Sequence, residues 1–243
     1  MRVLISGGSG VIGRHLLACI ESDPTLELAG TADSGRFFDP RAAGDVLIDF
    51  SHPALTVRSL DLACRLGIPA VIGTTGLDAD CQVRLESAAE RIPLCVAANF
   101  SLGVTVLLEL VARAAAALDS SFEIEITETH HRRKLDAPSG TALALGEAAA
   151  AARGLVLEDC RVDERRARRS PRAVDDIGFQ AVRGGDVAGE HTVHFLGTGE
   201  RLELTHRASE RRIFALGALL AARKLIGRRP GRVEFASLVL PTD

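Results

Sequence analysis

The sequence predicts an α/β protein in two parts: a Rossmann-type domain built on a doubly wound parallel sheet, and a second α+β domain with a mixed or antiparallel sheet. Two observations predict this fold. In the first hundred residues, short apolar runs alternate with helical patterns, as in parallel strands joined by crossover helices. Beyond them, apolar and polar residues alternate one by one, which is the pattern of strands with one covered face.

The first strand, turn and helix indicate a dinucleotide site. RVLIS (2–6) is followed by GGSGVIG and then by apolar residues at helical spacing. Gly7, Gly10 and Gly13 suit a tight turn, close approach of the backbone to a pyrophosphate, and packing of the helix on the strand. ELAGTAD (27–33) predicts a second strand ending in Asp33, whose carboxylate can bind an adenosine ribose. Ordinary turn glycines and a capping aspartate are the alternative.

The alternation of strands and helices continues to residue 97. The sequence predicts three more strands and two helices in this stretch, at 45–50, 69–73 and 93–97 and near 53–66 and 77–91. Ligands bind such a sheet outside the carboxyl ends of its strands. There, Gly73, Thr74 and Thr75 could contact a nicotinamide ribose and Asn99 a carboxamide, although ordinary loop chemistry explains each residue equally well.

The second domain is predicted from a change of pattern after a helix at 103–118. SFEIEITETHH alternates apolar and polar residues, and the same alternation returns in three later segments, FQAV (179–182), HTVHFL (191–196) and RLELTH (201–206). Residues 161–176 are too charged for a core and predict a solvated loop. An amphipathic helix from Ile213 onward is expected to pack back on the first domain. We therefore assign residues 1–98 and 213–243 to a dinucleotide-binding domain and 99–212 to a substrate-binding domain.

The segment THHRRKLDAPSGTAL (129–143) carries the densest chemistry of the chain. Ser139 is a natural N-cap of the helix that follows, and the backbone N–H groups of Ser139, Gly140 and Thr141 would form a seat for a carboxylate or phosphate. Lys134 adds a positive charge and a proton donor, and His130 can relay a proton at neutral pH. A metal site built on the paired histidines and an incidental surface loop are the weaker alternatives.

Composition excludes several other classes of protein. The net charge of −3 and a pI near 6.2 argue against general nucleic-acid binding. Five cysteines without a CxxC pair suggest neither a disulfide framework nor a zinc knuckle, and we expect most of them to be buried thiols. We expect no membrane span and no signal peptide, and hence a cytoplasmic protein.

Seven segments resemble the dihydrodipicolinate reductase family, in the family's order and across nearly the whole chain: GGSGVIGR, DVLIDFSHP, VIGTTG, AANFSLGV, ETHHRRKLDAPSGTA, RGGDVAGEHTV and FALGAL. The resemblance implies that His130 is a catalytic proton donor or acceptor and that Lys134 is a proton donor. It implies substrate contacts at His131, Gly140 and Thr141, with Ser139 adjacent. It implies cofactor contacts at Gly7, Gly8, Ser9, Gly10, Val11, Ile12, Asp33, Gly73, Thr74, Thr75, Ala97, Ala98, Asn99 and Phe100.

The resemblance also implies an activity, a cofactor and an assembly. The activity is NAD(P)H-dependent reduction of 4-hydroxy-tetrahydrodipicolinate or dihydrodipicolinate, a small cyclic dicarboxylate, in lysine and diaminopimelate biosynthesis. The assembly is a homotetramer formed through the sheets of the substrate domain, and no metal is implied. Family members that favour NADPH often carry an arginine after the acidic residue, whereas Ser34 follows Asp33 here. We therefore expect a preference for NADH, moderated by Arg14 and Arg36.

Two rival functions compete with this one. A short-chain dehydrogenase normally uses a tyrosine activated by a lysine, and the chain contains no tyrosine. A non-catalytic dinucleotide-binding redox sensor would need the glycine turn and Asp33 but not the segment from His130 to Thr141. That second rival stays open on sequence alone.

Overall fold

The chain forms two compact units in a computed structural model that describes residues 1–164 and 170–241. The first unit comprises Met1–Leu102 and Arg211–Asp243, and the second comprises Gly103–Glu210. The boundaries expected from the sequence, after residue 98 and before residue 213, lie a few residues from these. Residues 165–169 and 242–243 lie outside the described part of the chain.

Strands and helices alternate through most of the first unit, whereas three long strands follow one another in the second. The strands are β1 (Arg2–Ser6), β2 (Glu27–Ala32), β3 (Val46–Asp49), β4 (Ala70–Ile72), β5 (Pro93–Val96), β6 (Glu123–His130), β7 (Arg161–Val162), β8 (Ile177–Arg183), β9 (Gly189–Leu196), β10 (Arg201–Ala208) and β11 (Gly231–Arg232). The helices are α1 (Val11–Ser22), α2 (Pro53–Leu66), α3 (Ala79–Ala89), α4 (Leu102–Ala117), α5 (Gly140–Ala152), α6 (Leu157–Cys160), α7 (Arg212–Leu225) and α8 (Phe235–Val239).

The first unit contains a six-stranded sheet in the order β11-β5-β4-β3-β1-β2, in which every pairing is parallel. Strands β3 and β4 are buried along their whole length, as continuous apolar runs predict for a sheet covered on both faces. One face packs against α1 and α7 through residues such as Leu16 and Leu219. The opposite face packs against α2 and α3 through residues such as Leu60 and Leu85.

Local sequence signals set the ends of the helices in the first unit. α2 begins with Pro53 at its first position and ends at Gly67, which has a left-handed backbone conformation with φ of 64°. α3 starts at Ala79 because the Asp78 side chain caps it, accepting a hydrogen bond of 2.8 Å from the Cys81 N–H. The predicted helix at 53–66 is therefore confirmed, and the one near 77–91 begins two residues later than predicted.

The second unit contains a five-stranded sheet in the order β10-β9-β6-β8-β7. β6 pairs antiparallel with β9 and parallel with β8, so the sheet is mixed and the predicted fold class is confirmed. Ile124 and Ile126 of β6 and Val193 and Phe195 of β9 point into one core, where α4 and α5 cover the sheet. Polar residues of β6 and its neighbours occupy the opposite face, as the single-residue alternation predicts.

The prediction of a solvated loop at 161–176 is wrong at both ends of that segment. Val162 is buried in β7 and pairs with β8. Arg172 is only 12% exposed, because its guanidinium contacts Glu125 at 3.2 Å and donates to the Ile124 carbonyl at 2.8 Å. Charge density misled the prediction because a carboxylate on the neighbouring strand neutralises this arginine. The middle of the segment, 165–169, lies outside the described residues.

The apolar helix α4 belongs to the core of the second unit. Its 16 residues include Leu107 and Val111, which pack with β6, and an ion pair of 2.6 Å between Glu109 and Arg113 on its outer side. Across the described residues, no helix combines the length and apolar character needed to cross a membrane. All five cysteines are free thiols, and each is buried except Cys64, which is half-buried.

Candidate active site

The glycine turn, Gly7 to Gly13, joins β1 to α1 in the first unit. Gly7 has φ of +84°, and a Cβ there would lie 2.3 Å from the Phe50 carbonyl oxygen. A Cβ on Gly13 would lie 2.0 Å from the Gly7 carbonyl oxygen. Both positions therefore require glycine. Because the turn is tight, the N-terminus of α1, which begins at Val11, lies at the carboxyl edge of the sheet.

Asp33 ties the glycine turn to the end of β2. Its Oδ1 accepts hydrogen bonds from the Ser9 N–H at 2.9 Å and the Ser9 hydroxyl at 2.7 Å. Arg36 pairs with Asp33 through two backbone hydrogen bonds, and the Arg14 guanidinium donates to the Ser9 carbonyl at 2.7 Å. The predicted ribose-binding carboxylate thus lies beside the turn. The backbone of Arg36 and the side chain of Arg14 are held close to it.

The carboxyl ends of β3 and β4 form the next part of this edge. The Phe50 ring lies against Gly73, where a Cβ would be 2.2 Å from the ring. Thr74 is buried, and its hydroxyl accepts the Ser51 N–H at 2.9 Å, whereas Thr75 is exposed. Sequence reasoning missed Phe50. The signal was present in the glycine that follows β4, because the Phe50 ring occupies the space that a side chain at Gly73 would need.

Asp49 lies fully buried beneath this edge, at the end of β3. Its Oδ1 accepts the Ser51 N–H at 3.0 Å, and the Ser51 hydroxyl donates to the same oxygen. Burial raises the pKa of Asp49 despite the hydrogen bonds from Ser51. Sequence reasoning did not single this residue out, since it lies at the end of an apolar run.

The four residues after β5 differ in their exposure. Ala97 is half-buried and Ala98 exposed, and the Asn99 side-chain oxygen accepts the Ser101 N–H at 2.8 Å. Phe100 is 1% exposed, and its ring packs against Phe50 and Phe235 at centroid distances of 5.7 Å and 4.8 Å. The Phe100 ring is thus part of the core, and a ligand at this edge would meet the backbone of that residue.

His130 ends β6 in the second unit, with a side chain only 10% exposed. The period of two along the strand places Glu128 on the same inward face, and the Glu128 carboxylate contacts His130 Nδ1. The Arg183 guanidinium holds both Glu128 oxygens, at 2.7 Å and 2.9 Å, and the Ser139 N–H donates to Glu128 at 3.1 Å. Sequence reasoning missed both Glu128 and Arg183.

Charges around Glu128 keep it ionised. Its side chain is 1% exposed, and burial by itself would raise its pKa. The hydrogen bonds from His130 and Arg183 outweigh burial and lower the pKa of Glu128 to about 2. The carboxylate is therefore a permanent acceptor at neutral pH.

His191 of β9 completes this cluster and was also missed. Its ring lies edge-on to that of His130, with centroids 5.0 Å apart, and its Nε2 lies 3.0 Å from the Ser139 hydroxyl. Burial, together with positive charge at His130 and at Lys134, lowers the pKa of His191 to about 4, so this imidazole is neutral at pH 7. Atoms of Glu128, His130 and His191 that could ligate a metal ion lie within 4.8 Å of one another. The Glu128 oxygens, however, already accept hydrogen bonds from protein N–H groups.

Ser139 caps α5 as predicted, since its hydroxyl accepts the Ala142 N–H at 3.2 Å and its carbonyl accepts the Leu143 N–H at 3.0 Å. The predicted anion seat needs one correction. The Ser139 N–H points to Glu128 and the residue is 2% exposed, so it supports the cluster instead of facing solvent. Gly140, by contrast, is exposed at the start of α5, where the first-turn N–H groups of a helix favour an anion.

Lys134 and His131 lie on the loop between β6 and α5. The Lys134 ammonium forms an ion pair of 2.8 Å with Asp136, and its side chain is 21% exposed. Its positive charge, like that of His130, contributes to lowering the pKa of His191. The His131 N–H donates to the Val187 carbonyl at 2.8 Å, and its Nδ1 accepts the Arg133 N–H at 3.2 Å.

Comparison with known proteins identifies the family. The family model described as dihydrodipicolinate reductase, N-terminus, matches residues 1–100, and the model of the C-terminus of the same family matches residues 103–239. The chain belongs to the dihydrodipicolinate reductase family. The resemblance found in the sequence is thereby confirmed, and dihydrodipicolinate reductase membership favours an oxidoreductase over the non-catalytic redox sensor.

Relatives and solved structures agree with dihydrodipicolinate reductase membership. A 4-hydroxy-tetrahydrodipicolinate reductase of Thiobacillus denitrificans is 43% identical over 262 aligned positions, covering 98% of each chain. One of the same name from Paraburkholderia phymatum is 41% identical, covering 98% of this chain and 99% of the relative. The solved structure of a dipicolinate-bound dihydrodipicolinate reductase from Paenisporosarcina sp. TG-14 has the same fold, with a TM-score of 0.73 at 23% identity and 96% and 97% coverage of the two chains.

Proposed function

We propose that this chain is an NAD(P)H-dependent 4-hydroxy-tetrahydrodipicolinate reductase of lysine and diaminopimelate biosynthesis. The observation that carries the proposal is the cluster around His130, with its buried carboxylate partner Glu128 and with Lys134 on the following loop. Curated relatives of that name, 41 to 43% identical over nearly the full chain, give the substrate class. A redox sensor would have no use for such an acid–base cluster.

The first unit fits a nicotinamide dinucleotide. A Cβ on Gly7 or Gly13 would clash with the neighbouring backbone, so the tight turn requires both glycines. The turn leads into the N-terminus of α1, where a pyrophosphate would lie. Asp33 lies at the end of β2, about 20 residues beyond the turn, where it can accept hydrogen bonds from a ribose. The bound reduced nicotinamide supplies the hydride, and Gly73, Thr75 and Asn99 would contact its ribose and carboxamide.

Residues of the second unit would bind the dicarboxylate and move the proton. Gly140 and Thr141 at the start of α5, with His131, would hold a carboxylate of the substrate. Reduction of a conjugated cyclic imine leaves negative charge that a proton must neutralise. Lys134, with His130 beside it in the sequence segment, would donate that proton, and positioned acids of this kind typically contribute ~10² to 10⁴ in rate.

The preference between cofactors follows from the residue after Asp33. Ser34 is exposed and offers no guanidinium fork to a 2′-phosphate, and the Asp33 carboxylate would repel one. The Arg14 guanidinium donates to the Ser9 carbonyl, and Arg36 is joined to Asp33 through its backbone. Neither contact positions a guanidinium to bind that phosphate. These contacts support NADH as the preferred reductant.

Assembly as a cytoplasmic homotetramer completes the proposal. The second sheet carries α4 and α5 on one face, while Thr127, Thr192 and Thr205 lie side by side across three strands on the other. Among the described residues of the second unit, no helix covers this face, which suits pairing with the same face of another copy. The sheet therefore supports oligomerisation through the second unit.

The reductase activity is tested by following nicotinamide absorbance with the purified chain. The substrate is the condensation product of pyruvate and aspartate semialdehyde, generated in the cuvette. We expect oxidation of NADH, and more slowly of NADPH, that depends on this substrate. A chain that binds dinucleotide but never oxidises it under these conditions would instead support the redox sensor.

A further inference from the structure

We propose that Glu128, held by Arg183, is a positioning residue that fixes the His130 ring by its Nδ1 and thereby presents Nε2 as the atom that exchanges a proton with the substrate. This inference rests on the proposed function, because it assigns a role within that reaction. Glu128 itself touches neither substrate nor cofactor in this scheme. It acts only through His130.

The partners of Glu128 leave it one orientation. Arg183 binds both carboxylate oxygens, the Ser139 N–H binds one of them, and His130 Nδ1 contacts the other. An ionised carboxylate can only accept hydrogen bonds, so Nδ1 of His130 must carry a hydrogen. In the neutral ring, Nε2 is then the basic nitrogen, and in the charged ring it is the acidic N–H that faces away from Glu128.

Space beside Nε2 is kept open by a glycine at the start of β9. A Cβ on Gly189 would lie 3.0 Å from His130 Nε2 and 3.3 Å from the neighbouring ring carbon. Such a contact is tighter than side chains normally accept, so a residue larger than glycine would crowd this nitrogen. The segment RGGDVAGEHTV therefore contributes both the clamp, in Arg183, and the opening, in Gly189.

Charged and titratable groups surround His130 from every neighbouring element. Glu128 contacts it from β6 and His191 faces it from β9, while Arg183 of β8 reaches it through Glu128. Lys134 approaches on the loop before α5, and His206 of β10 lies opposite His191 in register. Glu128 is thus the negative charge in direct contact with the ring. Without it, Arg183 and Lys134 would oppose the protonated form of His130.

The test compares Glu128→Gln with Glu125→Gln. Glu125 lies on the same strand, is partly buried and pairs with an arginine, Arg172, so its loss reproduces the damage of breaking an ion pair without touching His130. For Glu128→Gln we expect kcat to fall at least about tenfold with a smaller change in substrate KM. We also expect the kcat/KM pH profile of Glu128→Gln to differ from those of the wild type and Glu125→Gln, because the carboxylate that fixes Nδ1 of the His130 ring is gone.

Two outcomes decide the matter. If Glu128→Gln keeps the wild-type pH profile and loses no more kcat than Glu125→Gln, Glu128 is merely structural and the inference is overturned. If Glu128→Gln does not fold, Glu128→Asp keeps the charge on a shorter arm. It should retain the wild-type pH profile while kcat falls, because the carboxylate is kept but held further from His130. A changed pH profile in Glu128→Asp would also overturn the inference.

A readout without turnover separates this inference from the proposed function. ¹⁵N spectra of histidine-labelled wild-type protein, with the His130 signals assigned by their loss in His130→Gln, report which ring nitrogen carries the hydrogen. We expect the Nδ1–H form when the ring is neutral. The Nε2–H form would contradict the inference even in an active enzyme. An inactive protein with the Nδ1–H form would contradict only the proposed reaction.

Discussion

Lys134 is one of two lysines in the chain, and its side chain is mostly buried beside the His130 cluster. As a proton donor it should matter to turnover and not to the dinucleotide, whose predicted contacts lie in the first unit. Lys134→Ala is therefore expected to lower kcat at least about a hundredfold and to leave the Kd for NADH unchanged. Steady-state assays and fluorescence titration with NADH measure the two quantities.

The second lysine provides the control. Lys224 is exposed near the end of α7, so Lys224→Ala removes the same group without affecting the site, and its kcat should match the wild type. A loss of NADH affinity in Lys134→Ala, with kcat preserved at saturation, would contradict the role assigned to this residue.

Cofactor preference depends on the residue that follows Asp33. The wild type is expected to have the higher kcat/KM with NADH, because Ser34 offers no guanidinium to a 2′-phosphate. Ser34→Arg should raise kcat/KM for NADPH by about tenfold or more, since charge-assisted hydrogen bonds to an ionised group contribute ~1.5–3 kcal/mol. Ser34→Ala controls for loss of the hydroxyl, which lies 3.2 Å from His52 Nε2. A wild type with a strong NADPH preference would refute the assignment.

Buried His191 makes stability depend on pH. Its pKa falls from the ordinary 6.5 to about 4 in the folded chain, so unfolding takes up a proton between these values. The stability it contributes is complete above pH 6.5 and is lost as the pH falls toward 4. At pH 5 the loss is about 2 kcal/mol, from 1.5 units at 1.36 kcal/mol each.

His191→Gln should therefore flatten the pH dependence of stability. Urea unfolding at pH 5 and pH 7.5 would show a difference about 2 kcal/mol smaller than in the wild type. His15 is half-buried on α1, in the first unit and away from this cluster. His15→Gln should therefore show the same difference in stability between pH 5 and pH 7.5 as the wild type. Parallel pH dependences for His191→Gln and the wild type would show that folding does not lower the pKa of His191.

The sequence predicts site residues that lie in one segment, but it does not predict their partners on other strands. His130, Lys134 and Ser139 lie in one short segment, so their joint chemistry is visible in the sequence. Arg183 and His191 reach the same cluster only through the register of β6 with β8 and β9. Inward polar residues look like breaks in an apolar pattern until their partners are known. Glu128 was overlooked for that reason, two residues from a histidine that was singled out.

At the scale of elements, the glycine turn is the part that least tolerates an added side chain. Gly13→Ala puts a methyl group 2.0 Å from the Gly7 carbonyl oxygen, so the turn or the start of α1 must shift. We expect a loss of ~1–3 kcal/mol in the free energy of unfolding and weaker binding of NADH. Thermal unfolding and NADH titration measure both effects.

A glycine with open surroundings is the matched control for that change. A Cβ on Gly184 would meet no heavy atom of the described residues within 4 Å, so Gly184→Ala should leave both quantities close to wild type. Equal behaviour of Gly13→Ala and Gly184→Ala would mean that the close packing of the turn has no energetic consequence.

Elements were predicted well where a cap or a continuous apolar run marks them. Pro53 and Gly67 bracket α2, and the apolar runs of β3 and β4 need no partner to be recognised. Short strands are different, because a two-residue strand such as β7 has no period of its own. It is a strand only because it pairs with β8, and the charged residues that follow it in the sequence do not indicate a strand.

For the whole molecule, the sequence predicts the two classes of sheet but not the order of their strands. Alternation of strands and helices implies parallel pairing. The position of β1 between β2 and β3, and the use of β11 from the far end of the chain to extend the sheet beyond β5, depend on packing between distant segments. The same holds for α7, whose apolar face fits against α1 only once the sheet exists.

The open face of the second sheet leads to a prediction about assembly. Thr192 lies between Thr127 and Thr205 at the centre of this face. If this face joins copies of the chain, the protein in solution has four times the chain mass of 25.7 kDa, about 103 kDa. Light scattering coupled to size-exclusion chromatography measures that mass directly.

A charge at the centre of the same face should break the assembly. Thr192→Arg would bury an unpaired guanidinium between copies, which costs far more than an interface hydrogen bond returns, so we expect dimers or monomers. Val83→Arg is the control, because Val83 is 63% exposed on α3 in the first unit and should leave the mass unchanged. A wild type of 25.7 kDa, or a Thr192→Arg protein with the wild-type mass, would place the contacts between copies elsewhere or remove them altogether.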